Sequence, residues 1–249
     1  MHTARILIVM LLVMAPGMAM SANGGLLSGG QSVWEGEVEL GILIDSGNTD
    51  ATTLKGMLYL QQERSAWRNS IRASTRYRKV EDETTEQKYY LSNQTDFKFN
   101  ETDYSFVRGR YDSDRFAALD YRASVVSGYG RRAWQRGERY LDLSLGLGYS
   151  ITEYKVPTTS DEENDGLVSR LALDLVYPLS INAEFRQQAS TEINMDSHES
   201  ISQSITSVQA SVGQTFALKV SYIVERDSDV PADRANTDTE TSLTLLYEF

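Results

Sequence analysis

From residue 34 onward, apolar and polar residues take turns along the chain. WEGEVELGILID places Trp34, Gly36, Val38, Leu40, Ile42 and Ile44 on one face, with Glu35, Glu37, Glu39, Gly41, Leu43 and Asp45 on the other. Side chains of a strand point alternately to its two faces, so period two predicts β-strands whose faces meet different surroundings. WRNSIRASTRYRK is the cleanest case. Trp67, Asn69, Ile71, Ala73, Thr75 and Tyr77 oppose Arg68, Ser70, Arg72, Ser74, Arg76 and Arg78. The same spacing predicts about twelve strands, at 33–45, 51–62, 67–79, 88–99, 104–114, 120–131, 139–152, 166–177, 180–193, 200–212, 216–226 and 237–249. The fifth and tenth are the weakest: Tyr104, Phe106 and Val107 blur the phase of one, and the serine-rich SISQSITS of the other has little apolar face.

The connections alternate as well. One set is mostly short: ERSA, NETD, YPLS and GQT, with RRAWQRGE (131–138) as its long member. The other is longer and more acidic: KVEDETTEQ (79–87), EYKVPTTSDEENDG (153–166) and RDSDVPADRANT (226–237). SGNTD (46–50) reads as a turn, with Gly47-Asn48 tolerating a positive φ. An even number of strands then brings both ends of the sheet to the short-turn side. Trp34, Trp67, Trp134, Tyr247 and Phe249 fall at that end.

Alternation does not say which face is the core. In a soluble β-protein the apolar face points inward; in a membrane barrel it faces lipid and the polar face lines the lumen. Strands of this length exceed the soluble mode of roughly 5–6 residues and suit a tilted bilayer crossing. Twelve strands enclose too wide a lumen for one layer of side chains to fill as a dry core. Aromatics at strand ends match an interfacial girdle, and closure satisfies every backbone polar group in lipid. The expected fold is therefore all-β, a transmembrane antiparallel up-and-down barrel spanning 33–249. A secreted soluble β-protein is the alternative.

Composition narrows the chemistry. The 249 residues contain no cysteine and only two histidines, His2 and His198, which leaves little for zinc or general-base work. A formal net charge of -11 argues against nucleic acid, which needs a basic face. Residues 1–22 carry Arg5, a short apolar run broken by Pro16 and Gly17, and then small residues, the layout of a secretory signal peptide. NGGLLSGGQS (23–32) follows as a linker. Export without a lipid-attachable cysteine points to a bacterial envelope protein.

On the polar faces, charges of both signs line up. Glu35, Glu37 and Glu39 lie on the first strand; Arg68, Arg72 and Arg76 on the third; Arg108 and Arg110 on the fifth. Asp142, Arg170, Asp174, Asp238 and Glu240 add to them from later strands. Two readings stand: a selective pore whose arginines steer anions, or a salt-bridged interior that braces the barrel. No cofactor or metal site is expected. Asp161-Glu162-Glu163-Asn164-Asp165 lacks the ordered ligand spacing of a calcium loop and reads as a solvated loop.

Several stretches also resemble one family: Trp34-x-Gly36-x-Val38-x-Leu40-Gly41, Ser46-Gly47-Asn48-Thr49, Tyr111-Asp112, Gly128-Tyr129-Gly130, and the close Asn236-Thr237-Asp238-Thr239 … Leu246-Tyr247-Glu248-Phe249. In order and spacing they are similar to the uncharacterised family labelled salt-induced outer membrane protein. The resemblance implies a β-barrel in the outer membrane of a Gram-negative bacterium, with no assigned activity and a link to salt or osmotic response only by label. Expected partners are outer-membrane lipid and lipopolysaccharide, and the barrel-assembly machinery reading the strand that ends at Phe249. Oligomeric state is left open. The expected function is non-enzymatic, a structural barrel or a channel for ions and small solutes. The runner-up is a lipid hydrolase in which His198 activates Ser200, two residues away. Both residues fall in the acidic loop DSHES, with no third group at a defined spacing.

Overall fold

Twelve antiparallel strands follow one another: β1 (Trp34–Asp45), β2 (Ala51–Glu63), β3 (Trp67–Val80), β4 (Glu83–Lys98), β5 (Asp103–Asp114), β6 (Leu119–Arg136), β7 (Arg139–Tyr154), β8 (Gly166–Ser180), β9 (Ala183–Asn194), β10 (Ser200–Ser211), β11 (Phe216–Asp227) and β12 (Thr237–Glu248). Each pairs with its sequence neighbours, and β1 pairs with β12 to close the ring. The computed structural model describes residues 34–45, 51–81, 83–116, 119–155, 165–213, 215–228 and 235–249. The expected signal peptide and linker, the 46–50 turn and most of the Asp161–Asp165 run lie outside them. Asp165 is described, and its Oδ1 accepts the Thr152 N–H at 2.8 Å. Among the described residues no helix is long and apolar enough to cross a membrane.

Closure is a hydrogen-bonded seam. Val38 stands opposite Tyr247 and Leu40 opposite Leu245. Gly36 and Phe249 exchange both backbone hydrogen bonds, at 2.9 and 3.0 Å. The Phe249 ring lies over Gly36, so close that a Cβ there would sit 2.4 Å from it. Around the seam the Tyr247 ring stacks on Phe249 and meets Phe216 in a tilted contact. A closed sheet leaves no unpaired edge, the condition for crossing lipid.

Directly opposed residues in an antiparallel pair share a face, so the registers sort the whole wall. One row reads Val38, Leu58, Ala73, Leu91, Tyr111 and Ala123 on the outside. The adjacent row, Glu37, Tyr59, Arg72, Ser92, Arg110 and Ser124, lies inside. Outward leucines are open, Leu40 at 65% and Leu243 at 64%, whereas inward Phe106 and Leu246 are buried at 1% and 0%. The apolar face is thus the outer one.

Three expected connections are shorter than their composition indicates. The acidic stretch at 79–87 is mostly strand: β4 begins at Glu83, and Glu81 takes the turn with φ 49°. Glu81 and Glu83 are exposed there, while Glu86 turns in to pair with Arg76. RRAWQRGE continues β6 to Arg136, and the chain reverses at Gly137, φ 63°, a conformation glycine adopts without a Cβ penalty. Tyr177–Ser180 belongs to β8. The longest connections, 155–165 and 228–236, sit at the end away from the β1–β12 termini.

Part of the lumen is packed. Tyr104, Phe106, Val126 and Val168 form a buried cluster on the inner wall of β5, β6 and β8. Tyr104 lies on Gly130, where a Cβ would fall 2.1 Å from its ring. Glycines across from bulky inward aromatics make the room these rings need.

Candidate functional site

The inner wall carries the chemistry. Every expected charged residue lies on the lumen side by register: Glu35, Glu37 and Glu39; Arg68, Arg72 and Arg76; Arg108 and Arg110; Asp142, Arg170 and Asp174; Asp238 and Glu240. Glu35 stands at the mouth and is exposed, and so is Asp238. The others gather in several places along the lumen.

Near the termini, Arg68 reaches Asp96 at 2.6 Å, and Arg132 grips Asp142 with paired contacts of 2.8 and 2.9 Å. A fork of two parallel bonds is the strong form of a carboxylate–guanidinium pair. Arg68, Arg132 and Asp142 line a cavity of about 320 Å³ with Lys98 and Tyr104. Toward the other end, Arg76 contacts Glu240 at 2.5 Å and Glu86 at 3.1 Å, and Lys55 also pairs with Glu240. Beside the seam, Lys219 meets Glu39 at 2.5 Å and Thr244 donates to the same carboxylate at 3.2 Å.

The central group crosses the barrel. Arg72 on β3 donates to Gln188 on β9 at 3.3 Å. These strands stand opposite in the ring of twelve, so one hydrogen bond spans the lumen from wall to wall. Gln188 in turn lies 3.5 Å from Asp174, and Arg72 stacks 5.4 Å above the Tyr59 ring. Among the described residues Arg72 makes no ion pair.

Beside this bridge, three arginines converge on one carboxylate. Glu192 of β9 receives Arg108 at 3.2 Å, Arg110 at 3.4 Å and Arg170 at 3.3 Å, with Ser124 at 3.5 Å. Arg108 also donates to the Tyr90 hydroxyl at 2.7 Å, and Arg110 pairs with Asp112. Nearby Arg122 reaches Asp227 at 3.3 Å. Arg108 and Glu192 are 9% and 8% exposed, so these charges are held mostly out of bulk water. Three guanidiniums share two carboxylates, and Arg72 adds a further positive charge without a direct counter-ion. Among the described residues the Nε atoms of Arg110 and Arg170 have no hydrogen-bond acceptor.

Sequence reading missed Glu192, Tyr90, Gln188 and Lys219. Glu192 stands alone in QASTEIN, outside any run of like charge. The parity shared with Glu184 and Arg186 places it inside, but its partners come from β5 and β8 and depend on how the ring closes.

Of the rim aromatics, Trp34 is 46% exposed, Trp134 40%, Tyr247 42% and Phe249 56%, all at the termini end. Trp67 is half-buried beneath the Arg64 guanidinium at 4.9 Å. His198 takes φ 64° in the turn between β9 and β10 and donates its N–H to Asn194 O at 3.0 Å. Ser200 opens β10 with its N–H bonded to Ser228 Oγ at 2.7 Å. Because His198 is on the turn, the strand periodicity that would align the two side chains does not extend to it. Among the described residues no group of His, Asp and Glu is arranged to hold a metal ion.

A closed antiparallel ring with an apolar outer wall, a charged inner wall and an aromatic rim defines a transmembrane β-barrel of the outer-membrane type. The NanC porin, in a rhombohedral crystal form, superposes with a TM-score of 0.52 at 12% identity, over 85% of this chain and 98% of that one. An outer-membrane channel from Pseudomonas putida F1 gives a TM-score of 0.49 at 11% identity, over 92% and 99% of the two chains. At 12% identity the likeness to the NanC porin concerns the fold. The chain belongs to the family described as protein of unknown function DUF481, whose pattern matches residues 38–249. It is similar to the uncharacterized protein YdiY of Escherichia coli strain K12, 26% identical over 220 residues that cover 86% of this chain and 82% of YdiY.

Proposed function

We propose that this protein is a narrow outer-membrane channel for ions and small anionic solutes, reaching its membrane by export on the segment 1–22. The observation that carries this reading is the Arg72–Gln188 bridge with Arg108, Arg110 and Arg170 beside it. Positive charge in excess of nearby carboxylate lowers the barrier for an anion and raises it for a cation. The obstruction consists of side chains, which reorient far faster than a backbone plug could move. A wide, unselective pore would not be crossed by a single hydrogen bond.

The test is the reversal potential of the refolded protein in a planar bilayer under a potassium chloride gradient. Steady steps with preference for chloride are expected, and Arg108→Gln with Arg170→Gln should shift the reversal potential toward cations. Silence from protein proven folded and inserted would overturn the reading and leave the charges as bracing.

A further inference from the structure

On the outer wall, β10 departs from its neighbours. Its bilayer side carries Ser202, Ser204 and Thr206, while Ile201 and Ile205 point into the lumen. Across from them on β9 stand Thr191, Ala189 and Gln187. A polar group in hydrocarbon is costly unless it is hydrogen-bonded. Here the groups bond to one another. Thr191 and Ser202 hydroxyls lie 2.9 Å apart. Gln187 donates to Ser204 at 3.0 Å, and Thr206 donates to Gln187 at 2.5 Å.

Small side chains here leave a trough of about 720 Å³ in the outer wall, within the roughly 300–1,000 Å³ of small-ligand sites. Ala189, Thr191, Ser202 and Ser204 form its floor. Leu145 and Leu171, more than half exposed, stand as one wall. Arg226 closes the other side, in the same cross-strand row as Ser202 and Thr191. It lies one residue from the end of β11, at the barrel end with the longer connections. Its side chain is exposed and makes no ion pair among the described residues.

We propose that this trough binds one phosphorylated lipid of the outer leaflet, its acyl chain on the β9–β10 floor and its phosphate on Arg226. Much of the floor's hydrogen bonding is internal, which lowers the cost of laying an aliphatic chain over it. A second copy of the barrel fits less well, because two concave faces brought together enclose a void and forfeit contact. Arg226 supplies the complementary charge at the level of the headgroups, where a guanidinium pairs with phosphate oxygens. The inference rests on the orientation of the barrel and not on conduction.

Native mass spectrometry of the refolded full chain tests it, with diphosphorylated lipid A and its phosphate-free counterpart as probes. One lipid A per barrel should be retained, and affinity should fall about tenfold for the phosphate-free probe or for Arg226→Gln, the scale of one charged hydrogen bond. Ala189→Phe should fill the trough and abolish retention. Arg139→Gln, at the opposite rim, should change nothing. Equal retention of both probes, or retention undiminished in Arg226→Gln, would overturn the proposal. So would a trough-dependent dimer that retains no lipid. Arg226→Gln alters an exposed side chain, so it decides the matter even if Ala189→Phe fails to fold.

Discussion

Replacing Glu192 with glutamine isolates what the central cluster contributes to stability. The substitution keeps the shape of the side chain and one acceptor oxygen but removes the charge that three arginines share. Arg110 keeps Asp112 and Arg108 keeps the Tyr90 hydroxyl. Arg170 loses its only carboxylate among the described residues. Arg108 loses its only carboxylate among the described residues as well, so two guanidiniums are left without a counter-ion at a site where Glu192 is 8% exposed. Removing one partner of a buried pair costs roughly 3–5 kcal/mol. Lumen water and the retained amide oxygen lower this, so the expected loss is about 2–3 kcal/mol. Urea unfolding from lipid vesicles measures it, with Trp34, Trp67 and Trp134 as rim reporters. Adding Arg170→Gln should recover part of the loss, so the double variant falls short of the sum of the singles. A change below about 0.5 kcal/mol in Glu192→Gln, or strict additivity, would refute the claim that the pairing is energetically coupled.

Other consequences are open to measurement. Gly128→Ala would set a Cβ 2.1 Å from the Leu145 carbonyl oxygen, a backbone atom that cannot swing aside, so a loss of about 1–3 kcal/mol in the same unfolding assay is expected. Deleting Phe249 removes both backbone hydrogen bonds with Gly36 at the seam and should lower the fraction of protein running as a compact, heat-modifiable barrel on unboiled gels. Glu192→Gln should also shift the reversal potential further toward anions, since it deletes negative charge from the constriction.

The transmembrane barrel is legible in the chain because lipid and lumen impose opposite chemistry on alternate residues. Arg68, Arg72 and Arg76 against Trp67, Ile71 and Tyr77 need no more than the period of a strand. The pattern weakens where the environment does. Near the mouth, Glu83 and Glu86 extend β4 although an acidic run looks like loop by composition; Glu86 is held there by Arg76 from the neighbouring strand. On β10 the polarity reverses, and it reverses stably because Thr191, Gln187, Ser202, Ser204 and Thr206 bond to one another across the β9–β10 pair, a relation no single strand displays. The lumen partners are less legible still. Which arginine meets Glu192, or that Arg72 reaches Gln188, follows from ring closure and side-chain length.

The central claim is that side chains from opposite walls constrict the lumen. Single-channel conductance of the Arg72→Ala, Gln188→Ala double variant beside the parent tests it most directly. Removing both ends of the bridge should enlarge the step and weaken the preference for chloride. A conductance and selectivity identical to those of the parent, in protein shown to be folded, would mean that current does not pass this point, and the account would fail.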